Sequence, residues 1–215
     1  TDLRLAVTHP GSEASNPALA QYSLKESPHV VEALDGSLSF PAGAPAASVP
    51  AEEGTALGYW SSTKALTNGE AIDAMGAAAQ QRLSITDADR VLVSITLCHA
   101  FGIGSAVASA WLSGAAVVLP GASGIRGCGS PSQRAEATLA ALASQRCSLL
   151  FADVHTLKAL PDPGDKDLAA LRGGVCKVGS GADFLEDVKE AKIGPSGELK
   201  PLQYAGVPLI ALGKR

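Results

Sequence analysis

Cysteine and histidine, at four residues each, could bind a metal or supply a nucleophile in this 215-residue chain. The cysteines are Cys98, Cys128, Cys147 and Cys176, and no two of them have the C-x-x-C spacing of a zinc site. Cys98 and His99 are adjacent, so on a strand they would point to opposite faces rather than form a nucleophile–base pair. The G-x-S-x-G sequence of a hydrolase nucleophile elbow is absent. We therefore expect no metal site, and reduced cysteines buried as small apolar side chains.

The sequence from residue 56 onward predicts alternating strands and helices, which would position any functional side chains. Runs of β-branched and apolar residues predict strands at 91–97, 115–119, 147–152 and 175–178. Stretches of helix-forming residues predict helices at 70–82, 102–113, 134–145 and 154–160, with a helical turn at 167–171. Because strands that alternate with helices form parallel sheets, we expect an α/β fold: a three-layer sandwich with a mostly parallel sheet.

Residues 1–57 differ in composition from the rest of the chain. Residues 40–54 read FPAGAPAASVPAEEG, and their three prolines are too closely spaced for a helix or a central strand. We expect an extended, Pro/Ala-rich N-terminal arm over 1–57 and an α/β domain over 58–215.

The 35 residues from 91 to 125 contain no Asp, Glu, Lys or Arg. A window of this length could hold a membrane span. Its glycines at 102, 104 and 114 and its proline at 120 fall where turns are needed, which favours a buried strand–helix–strand unit. A small membrane-embedded subunit remains the alternative.

Charge and composition exclude two classes of protein. The net charge is −4, whereas a nucleic-acid-binding protein usually carries a basic patch. Hydrophobic residues make up 46% of the chain, whereas intrinsic disorder needs low hydrophobicity and high net charge. Aromatic residues make up only 4% and there are 23 glycines, so we expect a core of small, closely packed side chains.

Residues 89–102, DRVLVSITLCHAFG, resemble a segment of the acyl-CoA synthetase, or AMP-binding (adenylate-forming), family. In that family an aspartate opens a strand that ends in P-L-x-H-x-x-G. Leu97, His99 and Gly102 match this pattern, and Thr96 stands in place of the proline. By resemblance His99 would lie near the acyl pocket, where we interpret it as vestigial.

Four further segments resemble the same family in the same order. They are 59–69 (YWSSTKALTNG), similar to the phosphate loop Y-[ST]-S-G-T-T-G-x-P-K-G; 114–119 (GAAVVL), similar to G-A-x-V-V-L; 146–156 (RCSLLFADVHT), similar to K-V-T-x-x-x-x-V-P-T; and 168–182 (LAALRGGVCKVGSGA), similar to L-x-S-L-R followed by G-G-A. The resemblance covers residues 56–182 and implies part of the family's large domain.

The segment that resembles the phosphate loop departs from the family at its most important positions. Glycines let backbone N–H groups close around phosphates, a lysine adds charge, and hydroxyls bind phosphate or magnesium. Ser61, Thr63 and Gly69 remain, but Ser62 and Ala65 replace two glycines, Lys64 replaces a threonine, and Thr67 and Asn68 replace the proline and lysine. A Cβ at 62 or 65 is costly if either position needs a positive φ. We expect this degenerate loop (Ser61, Ser62, Thr63, Lys64, Gly69) to bind no cofactor.

The family's remaining catalytic parts have no match after residue 182. Its adenine loop and its Y-G-x-T-E motif, whose glutamate helps hold magnesium, are replaced by residues 182–203, where we expect a charged helix with Glu186 and Glu190 on one face. The ribose-binding aspartate and the small C-terminal domain with its catalytic lysine are not matched either. The resemblance therefore implies no catalytic residue in this chain.

The sequence as a whole predicts a truncated, catalytically inactive scaffold similar to acyl-CoA synthetases. We expect an accessory subunit of a large mitochondrial assembly such as respiratory complex I (NADH dehydrogenase), because Thr1 resembles a processed terminus. Its expected partners are other protein subunits. Any association with a membrane would be through the complex, and we expect neither nucleic acid nor a small-molecule ligand to bind. The first alternative, ahead of the membrane-embedded subunit, is a residual acyl-CoA, acyl-adenylate or nucleotide binding protein that uses Ser61, Thr63 and His99.

Overall fold

The structure is a computed structural model that describes residues 6–8, 30–32, 55–59, 65–97, 100–120, 131–193 and 197–214. Up to residue 68 it describes the backbone of four short strands. The chain forms two compact units, Thr1–Glu53 and Gly54–Arg215. In the first unit β1 (Ala6–Thr8) and β2 (Val30–Glu32) pair in parallel. Most of the expected N-terminal arm lies outside the described residues and stays a prediction.

The second unit begins with a hairpin and continues with alternating strands and helices. In the hairpin, β3 (Thr55–Tyr59) and β4 (Ala65–Asn68) run antiparallel, so the expected boundary between residues 57 and 58 falls inside β3. The next elements are α1 (Gly69–Leu83), β5 (Arg90–Ser94), a π-helical segment (Phe101–Val107) that continues into α2 (Ala108–Ser113), β6 (Ala116–Val118), α3 (Pro131–Ser144), β7 (Leu149–Asp153), α4 (Val154–Ala159) and β8 (Gly173–Lys177). The unit ends with six short strands: β9 (Asp183–Leu185), β10 (Glu190–Lys192), β11 (Leu199–Pro201), β12 (Gln203–Tyr204), β13 (Val207–Pro208) and β14 (Ile210–Gly213).

The central sheet has six strands in the order β6–β5–β7–β8–β14–β9. The first five are parallel and β9 runs antiparallel to β14. The crossovers through α2, α3 and α4 each return the chain to the same end of the sheet, which makes β5, β6, β7 and β8 parallel. The carboxyl ends of β5, β7, β8 and β14 therefore lie along one edge.

Side chains alternate between the two faces of the sheet, and each face has its own core. One cluster joins Val91, Val93, Leu149, Phe151, Val175 and Leu212 to Ala79 and Leu83 of α1 and to Phe101, Val107 and Ala110 of the first crossover. The other joins Leu92, Leu150, Ala152, Cys176 and Ala211 to Leu139 and Leu142 of α3, Leu157 of α4, and Leu202, Tyr204 and Leu209. Helices on both faces make three layers, which confirms the predicted α/β sandwich.

Small residues let the helices on the first face approach closely. A Cβ added to Gly76 of α1 would lie 2.8 Å from the Cβ of Ala108, and one added to Gly104 would lie 2.6 Å from Cε of Met75. The backbones of α1 and the first crossover therefore pack almost without intervening side chains. This is the closely packed, small-residue core that the composition predicts.

The predicted strands and helices between residues 70 and 178 are present, with ends that differ by a few residues, but two predictions were wrong. Residues 167–171 form a tight turn rather than a helical one: the Leu171 N–H donates to the Leu168 carbonyl, and Asp167 accepts from the Ala169 N–H. The expected charged helix with Glu186 and Glu190 is replaced by β9 and β10. Pairing with β14 buries Phe184 and Leu185 at the edge of the sheet, and this burial overrides a weak helical propensity.

The uncharged window 91–125 folds, where it is described, as β5, the crossover helix and β6. Among the described residues, none of the helices has both the length and the apolar character needed to cross a membrane.

Candidate functional site

The segment similar to a phosphate loop, residues 59–69, runs from the last residue of β3 through β4 to the first residue of α1. Ser61, Ser62, Thr63 and Lys64 lie in the hairpin's connection, outside the described residues, and His99 lies outside them as well. Gly69 is the first residue of α1. The structure therefore describes the elements that flank the loop, and the roles expected of these five side chains at 61–64 and 99 stay predictions.

The backbone of β4 narrows the part of the hairpin that could wrap around a phosphate. Ala65 pairs with Tyr59 and Thr67 with Leu57, so residues 65–68 are extended strand. An extended backbone has a negative φ, so position 65 does not have the positive φ at which replacing a glycine is costly. Residues 60–64 lie outside the described residues, and their sequence WSSTK contains no glycine.

Asp89, the aspartate that opens the motif strand, is a buried carboxylate that pairs with the partly exposed Arg172. Its carboxylate accepts from Nη2 of Arg172 at 2.8 Å and from Nε of Arg172 at 3.0 Å. It also accepts from Ser148 Oγ at 2.7 Å and from the Thr86 N–H at 2.9 Å. Burial alone would raise the pKa of Asp89, but these hydrogen bonds and the charge of Arg172 outweigh it and lower the pKa to about 2. Arg172 also donates to the carbonyl of Leu83, so the pair ties α1, β5 and β8 together.

Two glycines of the motif segments have structural reasons for lacking a side chain. A Cβ on Gly102 would overlap the carbonyl oxygen of Thr96 and would lie 3.2 Å from the Cα of Leu97. Gly114 has φ +71° and ends α2 in the left-handed conformation. Both glycines are therefore needed for the backbone path of the crossover between β5 and β6, and this need does not depend on any ligand.

A buried polar cluster lies where β5 and β7 end. Thr156 matches the final threonine of the family's K-V-T-x-x-x-x-V-P-T pattern. It is fully buried, and its Oγ accepts from Nε of Arg134 at 2.9 Å. The Asp153 carboxylate accepts from the Thr156 N–H at 2.6 Å as the N-cap of α4 and lies 3.5 Å from Nη2 of Arg134. Ser94 and Thr138 are hydrogen-bonded to each other on the inner side of the cluster. These contacts join α3 and α4 to the sheet, so the cluster holds the fold together.

Lys177 is the cation at the end of β8. Its Nζ donates to the carbonyl oxygen of Gly181 and lies 5.8 Å from the ring centroid of Phe101. Burial lowers the pKa of Lys177 from its ordinary value, and the negative charge of Asp183 only partly offsets this. Lys177 is thus held against its own loop, with its charge directed at a backbone carbonyl.

Cys147 and Cys176 are buried free thiols, as the sequence predicts for them. Burial raises the pKa of Cys147 to about 11, despite the nearby charge of Arg90. Burial, with a smaller effect from Asp153, raises the pKa of Cys176 to about 12. Neither thiol is a nucleophile at neutral pH. Within the described ranges no three His, Cys, Asp or Glu residues form a metal-binding group.

The sequence indicates Asp89 and Arg172 separately, within two motif segments, but not their pairing. The Arg134–Asp153–Thr156 cluster and the position of Lys177 were not predicted. Asp153 stands three residues before Thr156 and directly before a helix, which is an N-cap pattern that could have indicated part of the cluster. Arg134 and Lys177 carry no local signal, because their partners lie on other elements.

Three enzymes of known structure have a fold similar to that of this chain. The anthranilate CoA ligase AuaEII in complex with anthranoyl-AMP has a TM-score of 0.58 and 20% identity, over 81% of this chain and 36% of that one. The amide bond synthetase McbA from Marinactinospora thermotolerans has a TM-score of 0.52 and 21% identity, over 83% and 35%. The luciferase-like enzyme of the nonluminescent mealworm Zophobas morio has a TM-score of 0.50 and 18% identity, over 85% and 43%.

The sequence itself has no detectable relative in two other comparisons: no protein-family model matches it, and no curated protein matches it. The structural likeness covers more of the chain than residues 56–182, so it continues beyond the segments that resemble the family in sequence. The chain spans less than half the length of each solved structure. It therefore has the fold of part of an adenylate-forming enzyme.

Proposed function

We propose that this chain is a non-catalytic form of the adenylate-forming fold that serves as a scaffold subunit. The observation that carries the proposal is which motif residues are kept. Asp89, Arg172, Gly102, Gly114 and Thr156 match the family, and each has a structural role in this fold.

Several positions that would hold phosphate in the family differ here, although the hydroxyl residues Ser61 and Thr63 remain. Residues 60–64 include no glycine, and glycines are what let the N–H groups of such a loop close around an anion. Asn68 stands where the family has its lysine. Residues that support the fold are kept, whereas two glycines and the lysine of the phosphate loop are replaced, and this supports a protein retained for its shape.

An exposed apolar surface supports a role within an assembly. Trp111 is 71% exposed, Leu119 is 52% exposed and Leu112 is 48% exposed, and all three flank the edge strand β6. Large exposed apolar side chains are typical of a surface that another chain covers.

The assembly that we propose is a mitochondrial one, with a respiratory complex such as complex I as host. Native gel electrophoresis of solubilised mitochondria, probed for this chain, tests it. We expect the chain to migrate with a complex of high mass. Migration at the mass of a free monomer, or a location outside mitochondria, would contradict this part of the proposal.

Calorimetry of the 215-residue chain with Mg·ATP and with acyl-CoA tests the loss of catalysis. We expect no heat of binding at micromolar concentrations and no exchange between ATP and pyrophosphate, with AuaEII as the positive control. Micromolar binding that Lys64→Ala or Thr63→Ala weakens would instead establish the residual nucleotide or acyl-CoA binding protein.

A further inference from the structure

We propose that a groove between β6 and α3 receives an extended, acidic segment of a partner protein, which adds to the sheet beside β6. This inference rests on the scaffold function proposed above and names its docking site. The edge groove has a volume of about 440 Å³ and is lined by Val117, Val118 and Leu119 on one side and by Ala137, Ala141 and Ser144 on the other, with Arg90 at its end.

The outer edge of β6, which is unpaired among the described strands, favours an extended occupant. Residues Ala116–Val118 pair with Arg90–Leu92 of β5, and within the described chain no strand pairs with their other side. The Ala116 N–H donates to the carbonyl of Asp89 on the β5 side. Because N–H directions alternate along a strand, the Val117 N–H points outward, where a partner strand could accept from it.

The small side chains of α3 leave room above this edge. Ala137, Ala141 and Ser144 recur at helical spacing, so they form one side of the groove, and Val118 lies on the same face of the sheet. A strand placed beside β6 would direct every second side chain into this space. Apolar side chains suit most of it.

Arg90, a cation at the end of the groove, favours an occupant with a negative charge. Its Nη2 donates to Oε1 of Gln145 at 2.9 Å, whereas its Nε is buried and has no hydrogen-bond acceptor. Among the described residues no carboxylate forms an ion pair with Arg90, and the groove lining contains no acidic residue. Within the described part of the chain, Arg90 is thus the one charged residue of the groove lining, and its side chain donates to a neutral amide oxygen, so an incoming carboxylate is the complementary group.

The same charge argues against a second copy of this chain as the occupant. The residues that line the groove are apolar, neutral or, at Arg90, positive. Self-association through β6 would bring the two Arg90 guanidiniums to one interface without supplying a carboxylate to either. An acidic segment of a different protein is the complementary partner.

Synthetic peptides and the full 215-residue chain provide the test. The probe is a short capped peptide of alternating Val and Thr with one central Glu, and its controls carry Gln or Lys at that position. We expect the Glu peptide to bind about fivefold more tightly than the Gln peptide by fluorescence anisotropy. Arg90→Gln should remove this difference. Arg146→Gln changes the net charge equally at an exposed side chain that does not line the groove and that pairs with Asp167, and it should leave the difference unchanged.

A second variant tests strand addition separately from charge. Val117→Pro removes the outward N–H but leaves the Ala116 hydrogen bond to β5, so it should weaken all the peptides while circular dichroism shows a folded chain. Equal binding of the Glu, Gln and Lys peptides, no binding by any of them, or a dimer abolished by Val117→Pro would each overturn the proposal. If the chain still migrates in a high-mass complex after such a result, the scaffold function stands and its docking site lies elsewhere.

Discussion

Asp89 and Arg172 are 83 residues apart in the sequence, yet they form the most completely hydrogen-bonded ion pair of the described structure. The Asp89 side chain is 8% exposed, so its charge depends on its partners rather than on water. Arg172 donates to both carboxylate oxygens and to the carbonyl of Leu83. Single residues therefore join three elements at the amino end of the sheet.

Asp89→Asn should destabilise the protein by about 2 kcal/mol. The substitution leaves the Arg172 guanidinium without its counter-charge and weakens the hydrogen bonds from Ser148 and Thr86. Urea unfolding followed by circular dichroism measures the change. Asp87→Asn, on an exposed turn residue two positions away, is the matched control and should change stability little. Equal effects of the two substitutions would show that the Asp89–Arg172 ion pair does not stabilise the fold.

Asp89 also gives stability a dependence on acid. Its pKa is about 2 in the folded chain against an ordinary value of 3.8, so the unfolded chain binds the proton more readily. The contribution, about 2 kcal/mol, is present above pH 4 and is lost as the pH falls from about 4 to about 2. Unfolding free energies measured across this range should decline less steeply in Asp89→Asn than in the wild type. A slope unchanged by the substitution would contradict the assignment.

At the scale of the element, neighbouring glycines in β8 have different reasons to be glycine. A Cβ on Gly174 would overlap the carbonyl oxygen of Leu150 in β7 and would lie 2.9 Å from Cδ2 of Leu209. A Cβ on Gly173 would lie 3.7 Å from Cδ2 of Leu149, an ordinary van der Waals distance. Position 174 therefore sets how closely the two central strands approach, and position 173 does not.

Gly174→Ala should destabilise the protein by about 1–3 kcal/mol, because the added methyl group pushes β8 away from β7. Gly173→Ala should be neutral or slightly stabilising, since alanine restricts the unfolded chain. Thermal unfolding of the pair measures both. If Gly173→Ala proved the more damaging substitution, the close approach of β7 and β8 at residue 174 would be wrong.

At the scale of the whole molecule, the last strand in sequence is an interior strand of the sheet. β14 lies between β8 and β9, with Ala211 and Leu212 fully buried on opposite faces. The sheet therefore joins residues near 90 to residues near 210 in one body. Folding of the central sheet therefore depends on segments that are far apart in the chain.

A chain that stops after residue 208 should lose its cooperative unfolding transition. It lacks β14, so β9 loses its partner and both core clusters are opened. A chain that stops after residue 213 retains β14 and is the control, with a transition near that of the full chain. Hydrogen exchange of the β8 amides measures the difference. Protected β8 amides in the shorter chain would show that the sheet does not require β14.

The order and type of the main elements could be predicted from local patterns. Residues 91–178 alternate apolar strand runs with helices of small residues, and such a pattern admits few arrangements other than a parallel sheet with helices on both faces. Residues 183–192 could not be placed in the same way. Their charged sequence is compatible with a helix, and only β14, far along the chain, supplies the pairing that makes Asp183–Leu185 a strand.

By itself, the sequence determined the α/β alternation, the closely packed small-residue core and the replaced positions of the phosphate-loop segment, because each depends on residues that are neighbours in the chain. The tertiary structure alone decided that Asp89 pairs with Arg172, that Gly102 and Gly174 face backbone carbonyls, and that Arg90 lies at the end of a groove with no described carboxylate as its partner. These features depend on groups brought together from distant segments. These features are stabilised by burial and hydrogen bonding, which exist only after the sheet has formed.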